Sequence, residues 1–433
     1  MKYTSHKARM LGGRLVVPGD KSISHRAVML GGLAEGVTEV SDCLLGEDVL
    51  STMQAMRTLG VTVEQSGNHL RIEGTGGRFT DAPVTLDMGN SGTSMRLMSG
   101  LLAGRSVRAT LVGDASLMKR PMERVAEPLR RMGADVTCLG EGGRPPVQVG
   151  PVDSLTPVEF AMPIASAQVK SAIMLAALTA SGTTVVEQPA PSRDHSERML
   201  AAFGADVTVS GLKVSVRGPV TLSATTVNVP ADISSAAFFV VAATIVPGSQ
   251  LTLPNVGMNP TRTGVLEILR AMGADIQIEN ARASGGEPVA DIVVRAASLT
   301  GIEIPAELVP NAIDEFPILF IAAACASGTT VLRGAEELRY KESDRIAAMA
   351  RGLRTLGVQV EEFPDGMAVT GGPIGPGAVE ADGDHRIAMS FAVAGSVASG
   401  PVEIDDCAAV ATSFPNFVAL AECAGMRIDV TGA

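Results

Sequence analysis

Two short sequence marks alternate six times along the chain, and no other feature limits its folding so tightly. The first is an apolar, alanine-rich stretch closing on glycine: Leu33-Ala-Glu-Gly36, Leu101-Leu-Ala-Gly104, Thr179-Ala-Ser-Gly182, Ile245-Val-Pro-Gly248, Cys325-Ala-Ser-Gly328 and Val397-Ala-Ser-Gly400. Copies lie roughly 70 residues apart, and such self-similarity at a near-fixed interval marks a repeated structural unit. The second mark falls between them: Gly60, Gly133, Gly204, Gly273, Gly357 and Gly425, each followed by an alternating run such as Val61-Thr-Val63 or Ala134-Asp-Val136. Each reads as a helix end, a glycine cap and then a strand. Between the marks, Val49, Met53, Met56 and Leu59 recur three or four apart, which predicts a helix with one buried stripe. Six units of strand, helix, strand, helix and strands divide as three plus three, so two similar α/β domains are expected. Repeats one to three end near Pro230 and the fourth begins at Asp232.

Composition agrees with large cores built without aromatics. The 433 residues are 46% apolar and 19% charged, with no Trp and two Tyr, enough apolar surface for two domains. Base-stacking platforms are therefore not expected, and a net charge of −11 argues against nucleic acid or an acidic membrane as a partner. A small anion is still compatible, because a basic cleft can sit inside an acidic protein. The five cysteines Cys43, Cys138, Cys325, Cys407 and Cys423 stand alone, without metal-ligand spacing, and are expected as small buried residues in a reducing compartment. The longest apolar stretch, Ala236 to Val246, stops at Pro247 and is too short to span a bilayer. A cytoplasmic protein is expected.

The first helix of each unit opens on a polar cluster: Asp20 to Arg26, Gly89 to Thr93, Ser166 to Gln168, Asp232 to Ser235, Asp314-Glu315, and Asp384 to Arg386. Asp, Ser, Asn and Thr are ordinary N-caps and explain half of these residues. Capping does not explain Lys21, Arg26, Arg386 or the neighbouring Lys341. A cation at a helix N-terminus opposes the helix dipole unless an anion joins it. Convergence of the six N-termini therefore predicts an anion site.

Nucleotide motifs fail on inspection. Pro18-Gly-Asp-Lys21-Ser22 lacks the Gly-Lys pair of a phosphate loop, because Asp20 interrupts it, and Gly74-Thr-Gly76-Gly77 has the wrong spacing for a dinucleotide turn. Lys341-Glu342-Ser-Asp344-Arg345 is denser: if helical, Lys341 and Arg345 share a face four residues apart. Arg120 stands just before a helix expected to start at Pro121.

Seven stretches, taken together and in order, resemble the 5-enolpyruvylshikimate-3-phosphate synthase family. They are Gly19 to Arg26, Gly89 to Arg96, Lys119 to Pro121, Ser166 to Lys170, Asn259 to Arg262, Lys341 to Arg345 and Asp384 to Met389. The resemblance covers essentially the whole chain. It implies an enolpyruvyl transferase-like inside-out barrel, α/β (α+β), of two domains with three βαβαββ repeats each and the active site in the interdomain cleft. It also implies a discontinuous second lobe: residues 20–231 form the first, and residues 1–19 with 232–433 the second. No cofactor and no metal are implied, and a monomer is expected.

The resemblance suggests that Lys21, Ser22, Arg26, Ser166, Gln168, Arg193, Asp314 and Lys341 hold shikimate 3-phosphate. Lys21, Asn90, Gly92, Arg120, Gln168, Arg345 and Arg386 would surround phosphoenolpyruvate. Asp314 would be the base near the attacking hydroxyl, Glu342 would carry the proton to and from the methylene carbon, and Lys21 would assist. His195 and His385 are expected to be structural. The chemistry needs such a cluster. Two charged groups ~5 Å apart repel by roughly 3 kcal/mol at an effective dielectric of about 20, and each substrate carries both a carboxylate and a phosphate. Arginine forks and lysine charges offset that repulsion.

Ser166-Ala-Gln-Val-Lys170 and Arg193-Asp-His-Ser-Glu197 resemble the class II branch, whose members are often poorly inhibited by glyphosate. Gly92 points the other way, since glycine leaves room for that inhibitor. The family's usual lysine before the late Ser-Phe-Pro segment is missing at Thr412-Ser-Phe-Pro415. The rival enzyme is the enolpyruvyl transferase acting on UDP-N-acetylglucosamine. It carries a cysteine a few residues before its Arg-Pro, and Asp114 to Pro121 has none.

Overall fold

A computed structural model describes residues 1–432. The chain divides into two compact units, one of Gly19–Val229 and one of Met1–Pro18 with the chain from Pro230 onward. The continuous unit contains α1 (Lys21–Leu33), α2 (Glu47–Thr58), α3 (Gly92–Leu102), α4 (Glu123–Arg131), α5 (Ala167–Ala177) and α6 (His195–Ala202). Three four-stranded sheets accompany them. Each has one parallel edge strand and two antiparallel pairings, as in Val84–Asp87 against Ala109–Val112, then Arg144–Gly150, then Asp135–Gly140.

The discontinuous unit repeats the plan with α7 (Ile233–Ile245), α8 (Gly264–Ala271), a single turn α9 (Val309–Ala312), α10 (Phe316–Ala324), α11 (Arg345–Thr355), α12 (His385–Gly395) and α13 (Phe417–Ala424). Two of its sheets have four strands and one has three, Thr329–Leu332, Gly366–Thr370 and Gln359–Phe363. Isolated parallel bridges Thr300 to Ser327 and Glu303 to Val331 stand where the other repeats have a fourth strand.

The repeat marks correspond to real geometry. The glycines after α2, α4, α6, α8, α11 and α13 all take left-handed φ, from 82° at Gly357 to 106° at Gly425. That region costs an L-residue and not glycine, so each helix can stop and turn into a strand.

Two edge strands depart from a simple tandem array. Gly12–Arg14, just ahead of α1, pairs with Gln250–Gly257, and Thr226–Asn228, just ahead of α7, pairs with Glu35–Ser41. Gly12–Arg14 thereby completes a sheet of the later unit and Thr226–Asn228 one of the continuous unit, so the N-terminal residues belong to the later unit. Lys2–His6 goes further and lies between Val402–Asp405 and Arg427–Thr431.

The first helices of the repeats are buried nearly all round: α7 and α10 expose almost nothing along their length. Small residues allow this closeness. A Cβ on Gly100 of α3 would lie 2.1 Å from the Ala172 carbonyl of α5. Each unit has its own core, Ile23 to Val229 in one and Tyr3 to Val17 with Ala231 to Ile428 in the other. No described helix is long and apolar enough to cross a membrane. Cys43 and Cys407 are buried, with burial pushing their thiols up to about 11 and about 12. The expectation of five buried cysteines holds for those two only: Cys138 and Cys325 are half-buried, and Cys423 is exposed because α13 turns that side to solvent.

Candidate active site

In the continuous unit, α1, α3 and α5 are capped by Asp20, Ser91 and Ser166, whose side chains accept from Ile23, Ser94 and Val169 N–H at 2.8, 3.1 and 3.4 Å. Lys21 and Ser22 therefore occupy the first turn of α1, half-buried. Lys21 Nζ lies 3.1 Å from Asp48 Oδ2, a carboxylate in the first turn of α2. Arg26, one turn further, is 5% exposed. It donates to the Ser22 carbonyl and to the Ser196 and Ser171 hydroxyls at 2.8–2.9 Å, bracing α1 against α5 and α6.

A second group forms around the start of α3. Arg120 donates from Nη2 to Asn90 Oδ1 at 2.7 Å, and Asn90 donates in turn to Asp114 at 2.6 Å. Arg96 Nη1 meets Gln168 Oε1 at 2.5 Å, while Gln168 Nε2 donates to Thr93 at 2.9 Å. Gly92 stands between these guanidinium groups. A Cβ there would come 3.0 Å from Arg96 Nη1 and 3.1 Å from Arg120 Nη1. Asn90, Gly92, Arg120 and Gln168 are thus drawn together. Arg193 is half-buried in the loop that leads into α6. That loop is tied down by Lys170, fully buried, whose Nζ reaches Glu197 at 2.5 Å and the Ser192 carbonyl at 3.3 Å. Burial pulls the Lys170 pKa down, and Glu197 opposes that shift.

The discontinuous unit gathers the expected carboxylates. Arg345 is 1% exposed. Its Nε donates to Asp384 at 2.8 Å, Nη2 to Glu342 at 2.7 Å, and Nη1 lies 3.4 Å from Asp314. Burial disfavours the Arg345 charge, but Asp384, Glu342 and Asp314 outweigh it and raise its pKa. Asp384 is the converse case: burial pushes its pKa up, Arg345 pulls it down, and the net shift is downward. Lys341 Nζ is 3.3 Å from Asp314 and 2.8 Å from Glu337. Arg386 has its backbone N–H on Asp384 at 2.9 Å and its Nη1 3.7 Å from Glu315.

Several local expectations need correction. Lys341 and Arg345 do not share a helix: Lys341 ends the 3₁₀ turn Glu336–Tyr340, and α11 starts at Arg345 with Asp344 as its cap. Asp314 brings them together from outside. Asp314 does not cap α10 either, since the N-cap residue is Glu315. Helix α4 begins at Glu123, so Arg120 closes the preceding 3₁₀ turn Leu117–Lys119.

The family model of EPSP synthase (3-phosphoshikimate 1-carboxyvinyltransferase) matches residues 6–420. The chain belongs to the EPSP synthase family. A 3-phosphoshikimate 1-carboxyvinyltransferase of Methylococcus capsulatus is 58% identical over 431 residues, 99% of this chain and 98% of its own. One from Acidithiobacillus ferrooxidans is 57% identical over 434 residues, covering both chains fully. The solved EPSP synthase of Acinetobacter baumannii superposes with a TM-score of 0.90 at 49% identity, over 99% of this chain and 100% of that one. The six small mixed sheets with interleaved helices are thus the EPSP synthase fold.

Asp48, Arg96 and Glu315 contact expected site residues without being among them. Arg96 closes the Gly89 to Arg96 motif, and Glu315 adjoins Asp314, so both had a local signal. Asp48 had none, because its link to Lys21 spans two helices.

Proposed function

We propose that the chain transfers the enolpyruvyl group of phosphoenolpyruvate to the 5-hydroxyl of shikimate 3-phosphate and releases phosphate, as part of aromatic amino acid biosynthesis. The observation that carries this is full-length identity of 57–58% to relatives named 3-phosphoshikimate 1-carboxyvinyltransferase. Lys21, Ser22, Arg26, Ser166, Gln168, Arg193 and Lys341 are assigned to shikimate 3-phosphate. Asn90, Gly92, Arg120, Arg345 and Arg386 are assigned to phosphoenolpyruvate, with Lys21 and Gln168 shared.

The reaction is addition followed by elimination. A proton is added to the methylene carbon, the acceptor hydroxyl oxygen bonds to the central carbon, and the hydroxyl proton goes to a base. The tetrahedral intermediate then loses phosphate and a methyl proton, restoring the double bond. Asp314 is the base and Glu342 the carrier of the carbon-bound proton. Support comes from Arg345, which contacts both carboxylates within 3.4 Å and can hold them in fixed orientation through both steps. The Ser-Ala-Gln-Val-Lys and Arg-x-His-x-Glu patterns support the class II branch, and a monomer remains the expected state.

Phosphate release from shikimate 3-phosphate plus phosphoenolpyruvate tests the assignment. Turnover with UDP-N-acetylglucosamine as sole acceptor, or none with either, overturns it. Lys21→Ala and Glu342→Ala are each expected to lower kcat/KM at least 100-fold, from lost anion contact and lost proton transfer.

A further inference from the structure

We propose that Glu315 is a positioning residue: it aims the Arg386 guanidinium while leaving that group's N–H donors available to an anion. The inference rests on the transferase reading above. Glu315 is 1% exposed and sits at the start of α10, yet it makes no capping bond to its helix. Its Oε1 accepts the hydroxyl of Ser234 on α7 and lies 3.9 Å from Arg262 Nη2 and 3.7 Å from Arg386 Nη1 on α12. The three first helices of this unit therefore meet, at their N-termini, on one carboxylate. Glu315 Oε2 is buried without a hydrogen-bond partner among the described residues.

A buried carboxylate with one orphan oxygen is a poor stabiliser, because the desolvation is not fully recovered. What the arrangement does provide is direction. Among the described residues, Glu315 is the only ion-pair partner of Arg386, whose side chain makes no hydrogen bond there. At 3.7 Å the attraction is strong, but no N–H is consumed. Arg345 is the contrast, with Nε, Nη1 and Nη2 all engaged by carboxylates. Arg386, 11% exposed at its side chain, thus keeps its planar fork for carboxylate or phosphate oxygens. Ser234 and Arg262 hold Glu315 itself still, with Arg262 also on Asp232 at 3.3 Å.

Glu315→Gln keeps the shape and removes the charge. It is expected to raise the KM for phosphoenolpyruvate about tenfold, with the KM for shikimate 3-phosphate and kcat within about twofold, and Glu315→Asp is expected to recover part of the loss. A purely structural role predicts a lower Tm with both KM values unchanged. In a cycle with Arg386→Lys, the double variant should be little worse than Arg386→Lys alone, since Glu315 acts through Arg386. An unchanged phosphoenolpyruvate KM, or penalties that multiply, overturns the proposal. Should Glu315→Gln fail to fold, Ser234→Ala frees Oε1 instead, and the same KM should rise two- to threefold; no rise overturns the proposal. If the wild type turns over the two substrates and these variants do not behave as stated, only the Glu315 inference falls. If the wild type is inert, the transferase reading itself falls.

Discussion

Arg345 shows how much one buried charge depends on its neighbours. Three carboxylates hold it, and Asp384 is the one wholly buried. Asp384→Asn removes a partner while leaving the cation in place, so it should cost about 3–5 kcal/mol at pH 7 in urea unfolding. The folded-state pKa of Asp384 is depressed. Its contribution is therefore present above the unfolded value near 3.9 and disappears as pH falls below it. The variant should show a flatter acid limb, and an unchanged limb counts against the pair. Gly92 tests crowding rather than charge. A methyl group 3.0–3.1 Å from two arginine termini intrudes where those groups converge. Gly92→Ala should raise the glyphosate inhibition constant more than the KM for phosphoenolpyruvate, and equal rises refute the steric argument. At this scale the sequence revealed residue types better than partners. Their spacing makes Lys341 and Arg345 neighbours on a helix; in the fold they are neighbours through Asp314, 27 and 31 positions earlier by sequence number. Spacing rules see i and i+4, and they cannot see a third element that bridges a turn.

Helices carry the repeat, and their ends carry the chemistry. Six glycines mark where second helices stop, and that much is readable because a left-handed cap leaves a residue-type signature. Which sheets Gly12–Arg14 and Thr226–Asn228 complete has no such signature, since a short strand reads alike whichever sheet it joins. Contacts between helices are likewise silent in sequence until the side chains are placed. His25 on α1 is one of them: its Nδ1 is 2.8 Å from Thr52 on α2 and 3.3 Å from Ser94 on α3. Burial, then the Lys21 and Arg26 charges, lowers its pKa to about 3. Folded His25 thus stays neutral while the unfolded chain takes up a proton below about 6.5. Stability should fall as pH drops through that window, by about 2 kcal/mol between pH 7 and pH 5 from this group. His25→Asn keeps one hydrogen-bonding atom and removes the titration. It should be less stable at pH 7 yet lose about 2 kcal/mol less than wild type over the same interval. Parallel losses in urea titrations at the two pH values would show that His25 protonates in the folded state.

The two units have equivalent plans and unequal dependence on the N-terminus. The core of Gly19–Val229 draws on no described residue outside that segment. The other core includes Tyr3, Leu11, Leu15 and Val17, all at most 5% exposed. Lys2–His6 is also an interior strand, bonded on both sides. Burying each of these four side chains contributes about 1.5–3 kcal/mol, so together they approach the whole stability of an ordinary domain. Without them the strands Val402–Asp405 and Arg427–Thr431 have no partner between them. A fragment of residues 19–229 is therefore expected to unfold cooperatively in urea when followed by circular dichroism. A fragment of residues 230–433 should show no cooperative transition, and adding a peptide of residues 1–18 should restore one in proportion to its concentration. Cooperative unfolding of residues 230–433 without the peptide would mean that the later half closes its own sheets, and that the N-terminal strands decorate its core rather than complete it.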